Sequence, residues 1–94
     1  MGPPLHAPLS FSVCQQVIDR MVCVSDDAIC AAMAWVADEL KLALEPAGCA
    51  VLAALKGPLQ QECTGHSVAA IFCGSNIDTE GWAALVARGR KVTG

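Results

Sequence analysis

The segment "IFCGSNID", residues 71–78, joins an apolar run to an acidic helix start through four small or polar residues. Strand ends that lead into helix N-termini are where α/β proteins bind ligands, because free backbone N–H groups and the last side chain of the strand face one crevice. The candidate ligand-binding residues of this segment are Cys73, Gly74, Ser75 and Asn76. The alternative is a tight strand-to-helix turn, in which glycine supplies an unusual backbone angle and an Asn or Asp caps the helix.

Glu45 is a further candidate, because this acidic residue stands directly before an all-apolar helix. The partial positive charge of a helix N-terminus stabilises a carboxylate at such a position. Helix capping is the simpler explanation for Glu45 taken alone, as a small core residue is for Cys73. Glu45 and Cys73 together outline a crevice, but the chain has no Walker motif, no G-x-G-x-x-G pattern and no nucleophile elbow. The residues alone therefore predict a binding crevice without a complete catalytic set.

The composition indicates one small packed domain. The chain has 94 residues, of which 54% are hydrophobic and 16% charged, with a net charge of −3. A negative net charge disfavours nucleic acid and anionic membranes as partners. No run approaches the roughly 20 apolar residues of a membrane span, and the N-terminus lacks the layout of a signal peptide. We therefore expect a cytoplasmic protein with neither a nucleic-acid nor a membrane partner.

Six cysteines in a short chain permit a disulfide framework. The missing secretion signal and the apolar surroundings of four of the cysteines favour free, buried thiols instead. There is no C-x-x-C pair, and His6 and His66 lie far from any cysteine pair at metal-ligand spacing. We expect no metal site, and a disulfide or metal scaffold is a remote alternative.

Apolar periodicity and capping residues predict the α/β element order α-β-α-α-β-α over residues 10–89. An extended lead-in of residues 1–9 precedes these elements, and a tail of residues 90–94 follows them. The predicted elements are a helix from Ser10, a strand at 21–24, a helix capped by Ser25, a helix from Pro46 to the stop at Gly57, a polar linker at 60–66, a strand at 67–73 and a helix from the N-cap Asp78 to the stop at Gly89.

The predicted buried faces follow from the same pattern. They comprise Phe11, Cys14, Val17 and Ile18 in the first helix, Ile29, Met33, Val36 and Leu40 in the second, all sides of the third, and Trp82, Leu85 and Val86 in the last. The unbroken apolar run at 67–73 predicts a strand that is buried on both faces. Two strands cannot cover a helical layer, so we expect further strands from a second copy or from a larger α/β domain.

Two longer stretches carry a resemblance to a known family. "VSDDAICAAMAWVADELKLALEPAGCAVLAAL" and "GHSVAAIFCGSNID" resemble the C-terminal part of threonine/serine dehydratases, the fold-type II pyridoxal-phosphate enzymes that include serine racemase. That family typically reads V-S-D-x-x-I, then K-L-x-x-E-P-A-G-A-A, then a strand ending in S-G-G-N-x-D or C-G-S/T-N-x-D. "PLSFSVCQQVIDRMVCVSD" resembles the preceding family segment, so the likeness covers about residues 8–89.

The resemblance implies part of a three-layer αβα large domain and pyridoxal 5′-phosphate as the cofactor. Cys73 corresponds to the residue that faces the pyridine nitrogen as a neutral hydrogen-bond partner, which leaves the ring largely unprotonated and favours elimination of water over transamination. The residues implied to shape the turn beside the ring are Gly74, Ser75 and Asn76. Glu45 corresponds to a glutamate near the ring in the same crevice.

The family's Schiff-base lysine and phosphate-binding glycine loop have no counterpart in this chain. Lys41, Lys56 and Lys91 do not lie in the family's lysine motif. No residue of this chain is therefore expected to bind the cofactor covalently or to remove the α-proton of the substrate. The resemblance therefore implies the C-terminal portion of an ammonia-lyase, inactive alone, whose partner is the remainder of the enzyme or a second copy. Its amino-acid substrate, threonine or serine, and its reaction, that of a dehydratase or that of a racemase, are left open. The alternative is a free-standing oligomeric module that binds a small molecule or serves a structural role.

Overall fold

Capping residues and prolines set the bounds of the helices. The computed structural model describes residues 7–93, and these residues form five α-helices. The helices are α1 (Pro8–Val17), α2 (Asp26–Trp35), α3 (Pro46–Lys56), α4 (Gln60–Cys63) and α5 (Thr79–Thr93). None of these helices is long and apolar enough to cross a membrane.

The predicted helix starts of α2, α3 and α5 are confirmed. Ser25 caps α2, since its hydroxyl accepts a hydrogen bond from the Ala28 N–H at 3.1 Å. Pro46 begins α3, where its missing N–H leaves no helical bond unmade. Asp78 precedes α5, and its carboxylate accepts the Gly81 N–H at 3.0 Å.

A π-helical turn, Val36–Leu40, continues α2. It ends at Lys41, which has a left-handed backbone with φ of 58°. The predicted stripe of α2 is correct at Ile29, Met33 and Val36, which are buried, but Leu40 is 43% exposed. A π-turn holds more residues than an α-turn, so it rotates Leu40 away from the line of the stripe.

The core lies where α2 packs between α3 and α5. Its largest fully buried side chains are Met33, Val36 and Cys49. Val86 of α5 is buried in this core, and Trp82 and Leu85 pack against it, as predicted. The α3 helix, expected to be buried on all sides, is buried along one face only, at Gly48, Cys49, Ala53 and Ala54.

The two predicted strands are wrong. Residues 21–24 and 67–73 have no regular secondary structure, and residues 7–93 contain no strand. The expected burial of residues 67–73 is also wrong, since Val68 is 49% and Ile71 is 79% exposed. A strand needs a hydrogen-bonded neighbour, and these two segments do not pair with each other. The order α-β-α-α-β-α is therefore replaced by helices joined through irregular segments.

Other departures concern the ends of the chain. Helix α1 begins at Pro8, inside the predicted lead-in, of which residues 1–6 lie outside the described part. The apolar face expected to be buried in α1 is exposed, and α1 buries no residue. The predicted stop at Gly89 is wrong because α5 continues to Thr93. Gly89 is instead buried against the backbone of Cys30, where a side chain would not fit. The short helix α4 lies in the predicted polar linker.

Candidate functional site

The start of α3 meets the segment that follows residue 72. The Glu45 N–H donates a hydrogen bond to the carbonyl oxygen of Gly74 at 3.3 Å. This bond joins the two segments in which the sequence analysis places all five candidate residues. Glu45, Cys73 and Gly74 thus lie together, as the predicted crevice requires.

The Glu45 side chain does not act as a helix cap. Glu45 occupies the N-cap position of α3, yet within the described residues its carboxylate accepts no capping hydrogen bond. The carboxylate oxygen Oε1 instead fills the space where a side chain at position 74 would lie. Gly74 has a φ of +92°, a conformation that residues with a side chain rarely adopt. The capping explanation therefore fails for Glu45, and the positive φ favours glycine at position 74, where a Cβ would also force the Glu45 carboxylate to move.

Cys73, Ser75 and Asn76 are all exposed. Cys73 is a free thiol at the surface, so the interpretation as a small core residue is wrong. The backbone turns tightly after it, since the Ile77 N–H donates to the Ser75 carbonyl oxygen at 2.8 Å. A ligand can therefore reach Cys73 from solvent, and the Glu45 carboxylate lies beside Gly74 in the same turn.

A cavity of about 210 Å³ adjoins this turn. Its lining residues are Ala43, Ser75, Ile77, Thr79 and Trp82. Small-molecule sites typically have about 300–1,000 Å³, so this cavity is smaller than a complete site. A larger cavity of about 460 Å³ between α2, α3 and α5 contains none of the candidate residues.

Trp82 is the one residue of this region that sequence reasoning assigned to the core alone. Its indole N–H is buried, and it has no hydrogen-bond partner in the part of the chain that the structure describes. A buried tryptophan usually finds such a partner. The polar N–H on an otherwise apolar ring was the signal that could have indicated a second role for Trp82. The apolar periodicity of α5 already explained Trp82 as a packing residue.

The lysines do not contribute a reactive amine to the crevice. Lys41 donates from Nζ to the Asp38 carbonyl oxygen at 2.7 Å. Lys56 lies with Nζ 4.5 Å from the ring centroid of Trp35. Lys91 belongs to the last turn of α5. None of these placements involves a candidate residue.

The cysteines and acidic residues of the described part of the chain form no metal centre. In residues 7–93 no group of three or more His, Cys, Asp or Glu side chains is arranged to hold a metal ion. The six cysteines are all free thiols. Burial raises the pKa of the Cys49 thiol to about 11, which keeps it protonated at neutral pH. Cys49 is thus a core residue without nucleophilic character.

Comparison with known proteins gives a consistent family. Residues 1–74 match the family model described as "Pyridoxal-phosphate dependent enzyme". Phenylserine dehydratase from Ralstonia pickettii is 46% identical over 69 residues, which cover 73% of this chain and 21% of that protein. Biosynthetic L-threonine dehydratase from Haemophilus influenzae is 39% identical over 70 residues, covering 73% of this chain and 14% of that protein.

A more distant relative is serine racemase from Schizosaccharomyces pombe, 27% identical over 74 residues. These residues cover 79% of this chain and 23% of the racemase. The chain therefore spans less than a quarter of the length of these three relatives. No solved structure gives a significant match.

Proposed function

Because the chain belongs to the family of pyridoxal-phosphate-dependent enzymes, we propose that it is the C-terminal portion of a threonine/serine dehydratase-like ammonia-lyase. In this proposal residues 10–89 supply the pyridine-nitrogen side of the cofactor site. The observation that supports it most is the hydrogen bond from the Glu45 N–H to the Gly74 carbonyl, which joins the two motif segments in one crevice. The relatives named dehydratases support the same reaction class.

Each crevice residue has a role in the proposed site. Cys73, which is exposed, would be the hydrogen-bond partner of the ring nitrogen of the cofactor. A thiol is a weak, neutral partner, so it does not stabilise a protonated ring as a carboxylate does. The turn at Gly74, Ser75 and Asn76 would hold one side of the cofactor, and the Glu45 carboxylate would lie near it. When bound, pyridoxal phosphate acts as the electron sink for a carbanion at the substrate α-carbon.

The small cavity beside the turn supports a partial site. The cavity of about 210 Å³ beside the turn is too small for a complete cofactor and substrate site. The exposed apolar segment at 67–73 offers a backbone edge that strands of the missing part would pair with. The greater length of the relatives is in keeping with this. The remainder of the enzyme is therefore the partner we propose, and it would bring the reactive lysine and the phosphate-binding loop.

A chimera tests the proposed function. The segment of the Ralstonia phenylserine dehydratase that matches this chain is replaced by the chain itself, and bound pyridoxal phosphate is measured by its visible absorbance after gel filtration. We expect the chimera to retain the cofactor and to release ammonia from a hydroxy amino acid. A folded chimera that retains no cofactor would contradict the proposal.

One observation favours a second candidate, a free-standing oligomeric module that binds a small molecule. Helix α1 buries none of its residues, and the apolar side chains of Val17 and of Ile18, directly after the helix, are 68% and 42% exposed. A second copy of the chain is one way to cover this face. Urea unfolding at two well-separated protein concentrations discriminates the candidates. A urea midpoint that rises with protein concentration supports the free-standing oligomeric module. A midpoint that does not depend on concentration supports the C-terminal portion of a larger enzyme.

A further inference from the structure

We propose that Gly48 is a positioning residue that sets the geometry of the crevice. The absence of a side chain at this position lets the Cys73–Gly74 peptide rest on the first turn of α3. This contact holds Cys73 and the Glu45 carboxylate at the same opening, where the start of α3 meets the turn of residues 73–76. The inference rests on the proposed function, because it treats this opening as the edge of a cofactor site.

The contact at Gly48 is between backbone atoms. Gly48 is buried in α3 and donates its N–H to the Glu45 carbonyl oxygen at 3.0 Å. A Cβ at position 48 would lie 2.8 Å from the carbonyl oxygen of Cys73 and 3.0 Å from that of Gly74. Backbone oxygens cannot rotate away as the end of a flexible side chain can. Any side chain at position 48 therefore displaces the turn itself.

A second contact fixes the turn from the other side. The Glu45 N–H donates to the Gly74 carbonyl oxygen, and the Glu45 carboxylate occupies the space beside Gly74. These contacts and the packing on Gly48 leave one position for the turn relative to α3. Glu45 and Cys73 are thereby oriented by a residue that touches no ligand itself.

The displacement caused by Gly48→Ala follows from these distances. The Cys73 oxygen must move by about 0.6 Å, from 2.8 Å to the 3.4 Å at which contact with a Cβ becomes ordinary. The Gly74 oxygen, which accepts the Glu45 N–H, must move by about 0.4 Å, from 3.0 Å to 3.4 Å, and since this hydrogen bond is already long at 3.3 Å we expect the movement to break it. The Glu45 amide then loses its partner while the rest of α3 is unchanged.

Amide hydrogen exchange of the chain, measured by NMR, tests this step. We expect Gly48→Ala to accelerate exchange of the Glu45 amide by about five- to tenfold, the loss of one typical backbone hydrogen bond. The amides of Ala53 and Ala54 keep their wild-type rates. Gly81→Ala is the matched control, because the Cβ at position 81 meets only the side chain of Asp78. We expect no change at Glu45 in this control.

Two results would overturn the inference. One is an unchanged exchange rate of the Glu45 amide in Gly48→Ala. The other is an equal acceleration throughout α3, which would indicate general destabilisation. If Gly48→Ala does not fold, Gly74→Ala tests the premise that the Glu45 amide reports the position of the turn, because it strains the turn directly at a residue with a φ of +92°. Faster exchange at Glu45 in that variant supports the inference, and an unchanged rate overturns it.

A titration with pyridoxine 5′-phosphate separates the inference from the proposed function. This analogue has no aldehyde, so it needs no lysine to bind. In the chimera, which supplies the phosphate-binding loop, we expect shifts of the Cys73 and Gly74 amide signals and at least fivefold weaker binding when the chimera carries Gly48→Ala. Signals of the unsubstituted chimera that do not shift would contradict the cofactor role of the crevice, while the exchange rates still decide the role of Gly48. Equal binding by both chimeras would overturn the inference.

Discussion

Gly89, where α5 meets the backbone of α2, is the position at which we expect an added methyl group to lower the free energy of unfolding. Gly89 of α5 is buried directly against the backbone of α2, and a Cβ there would overlap the Cys30 carbonyl group and lie 2.8 Å from the Ala31 nitrogen. Replacing Gly89 by alanine adds a single methyl group at this contact. Since both crowded groups are backbone, α5 must move away from α2 as a unit.

The magnitude follows from the displaced packing. Relief of the contact with the Ala31 nitrogen alone requires about 0.6 Å, from 2.8 Å to 3.4 Å. Overpacking of this kind costs about 1–3 kcal/mol, and withdrawal of Val86 from the core adds about 2 kcal/mol. The better helix propensity of alanine offsets about 1 kcal/mol. We expect a net loss of about 2–4 kcal/mol from a total of roughly 5–10 kcal/mol.

Urea unfolding followed by far-UV circular dichroism measures this loss. Gly81→Ala, in the same helix, is the control, because its added Cβ meets only the movable carboxylate of Asp78. We expect the control to stay within about 1 kcal/mol of the wild type. An unchanged or higher midpoint for Gly89→Ala would refute the packing of α5 on α2 described above.

Further predictions concern a cap, a buried thiol and an ion pair. Ser25→Ala removes the bond to the Ala28 N–H and should lower the free energy of unfolding by about 1 kcal/mol, measured by urea unfolding. The pKa of Cys49 is raised to about 11, so the contribution of its thiol to stability is complete below the ordinary thiol pKa of 9.0 and is lost as pH rises to about 11. Cys49→Ala should abolish this alkaline loss of stability. Urea unfolding midpoints measured between these two pH values check this. The hydrogen bond from Arg90 lowers the pKa of the Asp38 carboxyl, and an NMR titration should show that pKa rise in Arg90→Ala. A Cys49→Ala chain with the same alkaline loss, or an Asp38 pKa unmoved by the loss of Arg90, would contradict these assignments.

Local signals predicted the helices that have their own start and stop residues. Ser25, Pro46 and Asp78 mark helix starts because each acts on backbone groups within three residues of itself. Gly57 ends α3 for the same local reason. The contact between Glu45 and Gly74 depends on tertiary packing, and only the combination of two motifs indicated it.

Tertiary context overrode the local signals elsewhere. Gly89 is a residue type that often ends helices. Here its lack of a side chain allows a close contact with the Cys30 backbone, which the pattern of α5 alone does not reveal. Leu40 fits an α-helical stripe, and the π-turn moves it to the surface. The apolar run at 67–73 has strand composition, yet a strand also requires a neighbouring strand, and residues 7–93 supply none.

The role of Cys73 at the cofactor ring is the central claim, and the protonation state of the ring nitrogen tests it most directly. The measurement is ¹⁵N NMR of the chimera loaded with cofactor labelled at the pyridine nitrogen, compared with its Cys73→Asp variant. We predict an unprotonated nitrogen with Cys73 and a protonated nitrogen with Asp at that position, because a carboxylate stabilises the ring cation and a thiol does not. The same ¹⁵N shift in both proteins would contradict the account.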